Sequence, residues 1–159
     1  MLVALSCFTC MKYAIFDIDG CCIDNSLRLH LLDPTDNNAA FHQAHHLDTP
    51  IQAGVKVYAA LMRSGVTGVF LTSRHESHRD YTATQLRQIF GVELLARNRS
   101  DLLMRSTEDT EPDPVFKLKA LARAGIQPSD VLIAFDDRPS IVAAYRDAGI
   151  VAYQTAEGW

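Results

Sequence analysis

The chain has 159 residues, a net charge of −4, 48% apolar residues and 21% charged ones. That is the length and composition of one ordinary globular domain; the acidic balance argues against a broad basic surface for gripping a duplex, and no stretch of about 18 apolar residues is present to span a membrane. Cys7, Cys10, Cys21 and Cys22 are too few and too clustered for a disulfide framework or a two-pair zinc site, so a reducing, cytoplasmic setting is expected.

Residues 1–10, MLVALSCFTC, are apolar without Lys or Arg and read as an N-terminal extension, leaving a single domain over 11–159. The apolar run Tyr13–Phe16 predicts a buried strand that stops at Asp17. Asp19 follows at i+2, and Gly20 frees the backbone. Two carboxylates at the end of a buried strand repel each other in a partly dry site. A divalent cation removes that cost, and hard oxygen ligands favour Mg²⁺.

From Gly20 to Asp48 the chain is polar and turn-rich, with Asp33-Pro34 and Asp36-Asn37-Asn38, and is too short for a second domain. It reads as a flap at about 20–48. His42, His45 and His46 could share one helical face, but no partner carboxylate stands at a ligand spacing, so a solvated short helix is expected. Cys21 and Cys22 are expected to pack in the loop.

Asp48-Thr49-Pro50 reads as a helix start, with Asp48 as cap, and Ile51, Val55, Tyr58 and Leu61 or Met62 facing inward up to Gly65. Val66–Leu71 predicts a buried strand running into Thr72-Ser73-Arg74. A helix over about 78–90 buries Leu86, Ile89 and Phe90, and Glu93–Ala96 reads as a short strand. Residues 97–111 are polar. A third helix opens at Pro112 with Val115, Leu118 and Leu121 inward. Val131–Phe135 is the next strand, ending in Asp136-Asp137-Arg138. Pro139 starts a fourth helix with Ile141, Val142 and Tyr145 inward, and Ile150–Tyr153 closes the series.

Alternating strands and helices predict an α/β fold: a three-layer, Rossmann-like arrangement with a central parallel sheet. Ligands bind such sheets beyond the carboxyl ends of the strands. Three strands end in reactive groups: Asp17 and Asp19, Thr72 and Arg74, Asp136 and Asp137. A flavodoxin-like module without catalysis would favour Gly and Ser there. The two acidic pairs can hold Mg²⁺ and leave room for a phosphate. Asp17 can attack phosphorus as a carboxylate nucleophile, Asp19 can act as acid and base, and Thr72 can donate to a phosphoryl oxygen. A lysine is wanted for charge balance. Lys117 and Lys119 are the candidates, Lys117 nearer the sheet edge and Lys119 toward solvent.

The motifs DIDG at 17–20, LTSR at 71–74, Lys117 and FDDR at 135–138 resemble, in the same order, those of the haloacid dehalogenase superfamily of phosphotransferases. From about Lys12 to Trp159 the chain is more closely similar to the 3′-phosphatase domain of phage-type polynucleotide kinase-phosphatase. The shared features are Arg28 in the flap, SRHES at 73–77, LLMR at 102–105, Asp113 four residues before Lys117, and the stretch from Asp136 to Trp159.

That resemblance implies a Mg²⁺-dependent phosphatase working through an aspartyl-phosphate and removing 3′-phosphates from polynucleotide ends, a role in nucleic-acid repair. It adds Arg28, Arg74 and Asp113 to the catalytic and substrate-binding set. It assigns Mg²⁺ to Asp17, Asp19 (through its main chain), Asp136 and Asp137. Asp113 is expected either to hold Arg74 as a fixed fork against the phosphate or merely to cap its helix. Cys21 stands where that family usually has Thr or Ser, and no G-x-x-x-x-G-K-[ST] is present, so no kinase half is expected. The implied partners are phosphorylated nucleic-acid ends or nucleotides and a separate kinase or ligase, with no membrane. The alternative readings are a 5′-nucleotidase or small-molecule phosphatase of the same superfamily, and a phospho-ligand binding module without catalysis.

Overall fold

The structure, a computed structural model, describes residues 13–33, 35, 39–91 and 101–156, without the side chain of His42. The extension at 1–10 and the strand expected at 93–96 lie outside these residues. Five parallel strands form the sheet: β1 (Tyr13–Phe16), β4 (Thr67–His75), β5 (Leu102–Arg105), β6 (Val131–Asp136) and β7 (Ala152–Gln154), in the order β5-β4-β1-β6-β7. This is the Rossmann-like α/β architecture expected from the sequence.

The strand period of two divides the core into two layers. Ile15, Val69, Leu71 and Ala134 face one side, where Phe116, Ala120 and Leu121 of α4 (Asp113–Arg123) and Ile141, Val142 and Tyr145 of α5 (Pro139–Asp147) cover them. Ala14, Phe16, Phe70, Leu102 and Met104 face the other, against Tyr58 of α2 (Gln52–Arg63) and Leu86 of α3 (Arg79–Phe90). Phe16 anchors the second layer, edge-on to Tyr58 at 5.3 Å and stacked on Phe135 at 5.0 Å. β1 is therefore buried on both faces, as its unbroken apolar run requires.

Three elements differ from expectation. LLMR at 102–105 is the edge strand β5, not part of a polar loop; charged neighbours on both sides mask a segment that buries Leu102 and Met104. α4 is rotated by one position, so Phe116 and Lys117 are buried while Val115 is 40% exposed. α2 begins at Gln52, not at a cap on Asp48, because Thr49–Pro50 is instead a short strand, β3, paired antiparallel with β2 (Ile23–Asp24). That pair closes the base of the flap, which carries a 3₁₀ turn at Ser26–Leu31, the short α1 (Ala39–Gln43) and a second turn at His45–Leu47.

α2 docks closely on the loop after β1. A Cβ at Gly54 would lie 2.3 Å from the Cys21 carbonyl oxygen, and Ile51 N donates to Cys22 O at 2.9 Å. Gly54→Ala would gain at most about 1 kcal/mol of helix propensity, but it must displace backbone, at a cost of about 1–3 kcal/mol. We expect a net fall of a few degrees in Tm; a rise in thermal unfolding temperature would show that the loop yields freely.

Candidate active site

Strand register decides what meets at the sheet edge. Phe16 is paired with both Phe135 and Phe70, so Asp17, Asp136 and the Leu71-Thr72 step emerge side by side. Asp17 N donates to Phe135 O at 2.9 Å. Gly20, at φ +76°, passes so near Asp137 that a Cβ there would lie 2.5 Å from its Oδ2. Asp17, Asp136 and Asp137 each bring one carboxylate oxygen within 4.8 Å of the others. Lys117 of α4 reaches this group from below, 2.6 Å from Asp17 Oδ1 and 2.6 Å from Asp136 Oδ2.

Three buried carboxylates and one ammonium leave a formal surplus of two negative charges. Burial, with Asp136 and Asp19 alongside, pushes the Asp17 carboxyl upward against the attraction of Lys117. Burial and Asp136 push Asp137 upward as well. At Lys117 burial opposes the charged form, but Asp17, Tyr145 and Asp136 outweigh it and hold its pKa above the ordinary value. Hard oxygen donors with this charge deficit fit Mg²⁺.

Asp19 turns away from this triad. Its carboxylate accepts from Arg74 Nε and Nη2, both at 2.7 Å, from Arg28 Nη2 at 3.2 Å and from Asn25 Nδ2 at 3.3 Å. The expected metal set thus has three side chains here, and any part played by Asp19 falls to its main chain. Burial raises the Asp19 pKa, but Arg74 and Arg28 overcome it and hold the carboxyl below its usual range.

Arg28 is buried in the flap with its Cζ 3.9 Å from the Phe41 ring centroid. It donates through Nε to Asp48 Oδ1 at 2.5 Å and through Nη2 to Asp48 Oδ2 at 3.1 Å. Arg74 Nη2 lies 3.4 Å from Asp48 Oδ2, and Gln85 Nε2 donates to the same oxygen at 2.9 Å. Gln85 Oε1 in turn accepts from Arg74 Nη1 at 2.8 Å. Asp48 is the centre of this network, with a side chain 0% exposed. Burial works to raise its pKa, but His45, Arg28 and Gln85 hold it well below the usual carboxylate range. Asp48 and Gln85 are site residues that sequence reasoning missed: an Asp just before Thr-Pro reads as a cap, and a lone Gln on a helix carries no signal.

Thr72 is buried beside Asp17, its Oγ1 accepting from Arg74 N at 3.1 Å, which leaves its proton to donate. Lys119, by contrast, is 52% exposed and paired with Glu111. Asp113 does not hold Arg74, whose donors are taken by Asp19, Asp48 and Gln85. It bridges Arg105, at 2.5 Å from Oδ1, and Arg138. His45 is buried and stacked on Tyr81, with centroids 4.3 Å apart, whereas His46 is exposed, so the two do not converge as ligands. Cys21 and Cys22 are buried thiols packed with Ile18 and Ile23.

Asp17, Asp19, Thr72, Arg74 and Lys117 line one cleft of about 490 Å³ with Asn25, Leu29, Leu32, Phe41, Ser73, Asp137, Arg138 and Ile141. The model of the polynucleotide kinase PNKP phosphatase domain matches residues 11–159. The chain belongs to that family. Among solved structures this PNKP-type domain is similar to a chain of the Pnkp1/Rnl/Hen1 complex, at 22% identity and TM-score 0.70, covering 96% of this chain and 48% of that one. It thus spans about half the length of that relative. It is also similar to the haloacid dehalogenase-like hydrolase SP0104 from Streptococcus pneumoniae, at 15% identity and TM-score 0.63, covering 91% and 84%. The haloacid dehalogenase enzyme bt-2542 from Bacteroides thetaiotaomicron, in complex with magnesium and inorganic phosphate, matches at 12% identity and TM-score 0.58, covering 91% and 93%. No curated protein matches. No helix among the described residues is long and apolar enough to cross a membrane.

Two outcomes follow from the charges. Asp19 and Asp48 have folded pKa values below the ordinary 3.8, so their stabilisation is complete above about pH 4 and is lost as pH falls through the folded values. Asp48→Asn leaves Arg28 and Arg74 undercompensated; it should cost about 3–5 kcal/mol at pH 7 and flatten the acid limb of stability in urea titrations. An unchanged acid limb would contradict the network. At the triad, Mg²⁺ about a hundredfold above its Kd should add about 2.7 kcal/mol and raise Tm by several degrees. Asp137→Asn should remove most of that rise; an equal rise in the variant would place the cation elsewhere.

Proposed function

We propose that the chain is a Mg²⁺-dependent phosphomonoesterase that removes 3′-phosphates from polynucleotide ends by way of an aspartyl-phosphate. The observation that carries this reading is the pairing at one sheet edge of a carboxylate nucleophile against a cation-ready triad with a second carboxylate gripped by two arginines. Mg²⁺ held by Asp17, Asp136 and Asp137 would supply positive charge against the phosphoryl oxygens.

Asp17 Oδ attacks phosphorus, and the alcohol leaves with a proton from Asp19. Asp19 then takes a proton from the water that opens the aspartyl-phosphate. Lys117 fixes the Asp17 carboxylate through its 2.6 Å contact and offsets charge as it builds. Thr72 donates to a phosphoryl oxygen. Of the two arginines on Asp19, Arg74 lines the cleft, whereas Arg28 is buried in the flap. A phosphate dianion is the stronger partner for a guanidinium fork. Its arrival draws Arg74 from Asp19, which then takes up a proton from solvent and carries it to the leaving group. Asp48 stays between both arginines and keeps them aimed.

The polynucleotide substrate is supported by the family and by the site's access. The flap is short, whereas closure of a full cap would exclude polymers along with water. A repair setting beside a kinase or ligase is in keeping with the likeness to the Pnkp1/Rnl/Hen1 complex.

Asp17→Asn and chelation of Mg²⁺ should each abolish hydrolysis, Asp19→Asn should do nearly the same, and Lys117→Ala should lower kcat at least about a hundredfold. Turnover of 3′-phosphorylated oligonucleotides should exceed that of 5′-phosphorylated ones. Activity confined to 5′-mononucleotides or sugar phosphates would replace the substrate assignment with the nucleotidase reading and leave the Asp17 chemistry standing.

A further inference from the structure

α3 buries two polar side chains that its packing alone does not call for. Thr82, Gln85 and Leu86 stand at i, i+3 and i+4 and share one buried helix face. Buried polar groups cost free energy unless they are hydrogen-bonded, and both of these serve Arg74. A guanidinium has five N–H donors in one plane, and each of those on Arg74 has a partner. Nε and one Nη2 proton face the two oxygens of Asp19, at 2.7 Å each. The other Nη2 proton faces Asp48 Oδ2 at 3.4 Å. The two Nη1 protons go to α3, to Gln85 Oε1 at 2.8 Å and to Thr82 Oγ1 at 3.4 Å. Gln85 Nε2 then donates to Asp48 Oδ2 at 2.9 Å, which closes a ring through Arg74, Gln85 and Asp48.

The ring has one consistent orientation. Arginine only donates and an ionised aspartate only accepts, so the Gln85 amide must turn its oxygen to Arg74 and its NH2 to Asp48. Closed in this way, the ring fixes a guanidinium plane that a long arginine stem would otherwise leave free to turn. The Nε–Nη2 edge is the one a ligand can take. Asp19, which occupies that edge, lines the cleft, while Thr82 and Gln85 hold the opposite side from within the fold. Two parallel N–H groups on one edge match two oxygens of a phosphoryl group. Resting on the phosphomonoesterase reading above, though not on its polynucleotide substrate, we propose that Gln85 is a positioning residue for phosphate recognition. With Thr82 beside it, it locks Arg74 Nη1 to α3 and so presents the Nε–Nη2 edge to the phosphoryl group.

The test uses what every phosphomonoester shares, with p-nitrophenyl phosphate as substrate and orthophosphate as competing ligand, both with Mg²⁺. Gln85→Met fills a similar volume without the amide. It should lower kcat/KM about tenfold, mostly through KM, and raise the inhibition constant of orthophosphate by about the same factor. Gln85→Glu keeps the shape and the acceptor but sets a carboxylate against Asp48, and should lose at least as much. In an Arg74→Lys background, which has no Nη1 to hold, Gln85→Met should cost less than about twofold more. Thermal unfolding supplies a readout that needs no turnover: the rise in Tm that orthophosphate gives the wild type should shrink in Gln85→Met. A Gln85→Met protein with a lowered Tm but wild-type KM and orthophosphate inhibition would overturn the proposal, since Gln85 would then serve packing alone. So would a tenfold loss that persists in the Arg74→Lys background. A wild type that hydrolyses no phosphomonoester, yet gains Tm from orthophosphate through Gln85, would sink the proposed function and leave this inference standing. One that neither hydrolyses a phosphomonoester nor responds to orthophosphate would sink both.

Discussion

Three carboxylates confined within 4.8 Å of one another at the end of a buried sheet are the constraint that the rest of the molecule answers. Two unit charges about 4 Å apart repel by about 4 kcal/mol at an effective dielectric of about 20. Lys117, buried on α4, offsets part of that through its contacts to Asp17 and Asp136. The remainder is negative charge that a bound dication would neutralise. The fitness of the triad for a cation and its local instability thus have the same origin, and the surrounding apolar layers hold the group together against its own charge.

The arginines pose a different problem, that of keeping two guanidinium groups buried with their donors satisfied. Asp48 and Asp19 each contact both of them. Because Arg28 belongs to the flap and Arg74 to β4, the same contacts that aim the arginines also pin the flap to the sheet. The β2–β3 pair does so again at the flap's base.

Much of this was legible in the chain itself. Apolar runs that end abruptly in Asp17, in Thr72 and in Asp136 identify buried strands with reactive carboxyl ends, and alternation with helical segments implies a parallel sheet. Lys117 was distinguishable from Lys119 by its place near the apolar face of its helix, although the face itself lay one residue away from the expected one. The limits were local as well. β5 is four residues long among charged neighbours, and such a segment has no periodicity strong enough to stand out.

What the sequence determined by itself is the strand order of chemistry: which residues end each strand, and hence which groups can reach one edge. Backbone periodicity and the cost of burying like charges are enough for that, since both act over a few residues. Only the tertiary structure decided the partners of the long side chains. Asp48 became a buried counter-ion rather than a helix cap because Thr49–Pro50 paired with Ile23–Asp24. Asp113 took Arg105 and Arg138 rather than Arg74 because Arg74 was already held by Asp19, Asp48 and Gln85. An arginine finds its carboxylate through space, across as many as 55 positions from Arg74 to Asp19, and competition among several acids for one fork is settled by packing, which no local pattern encodes.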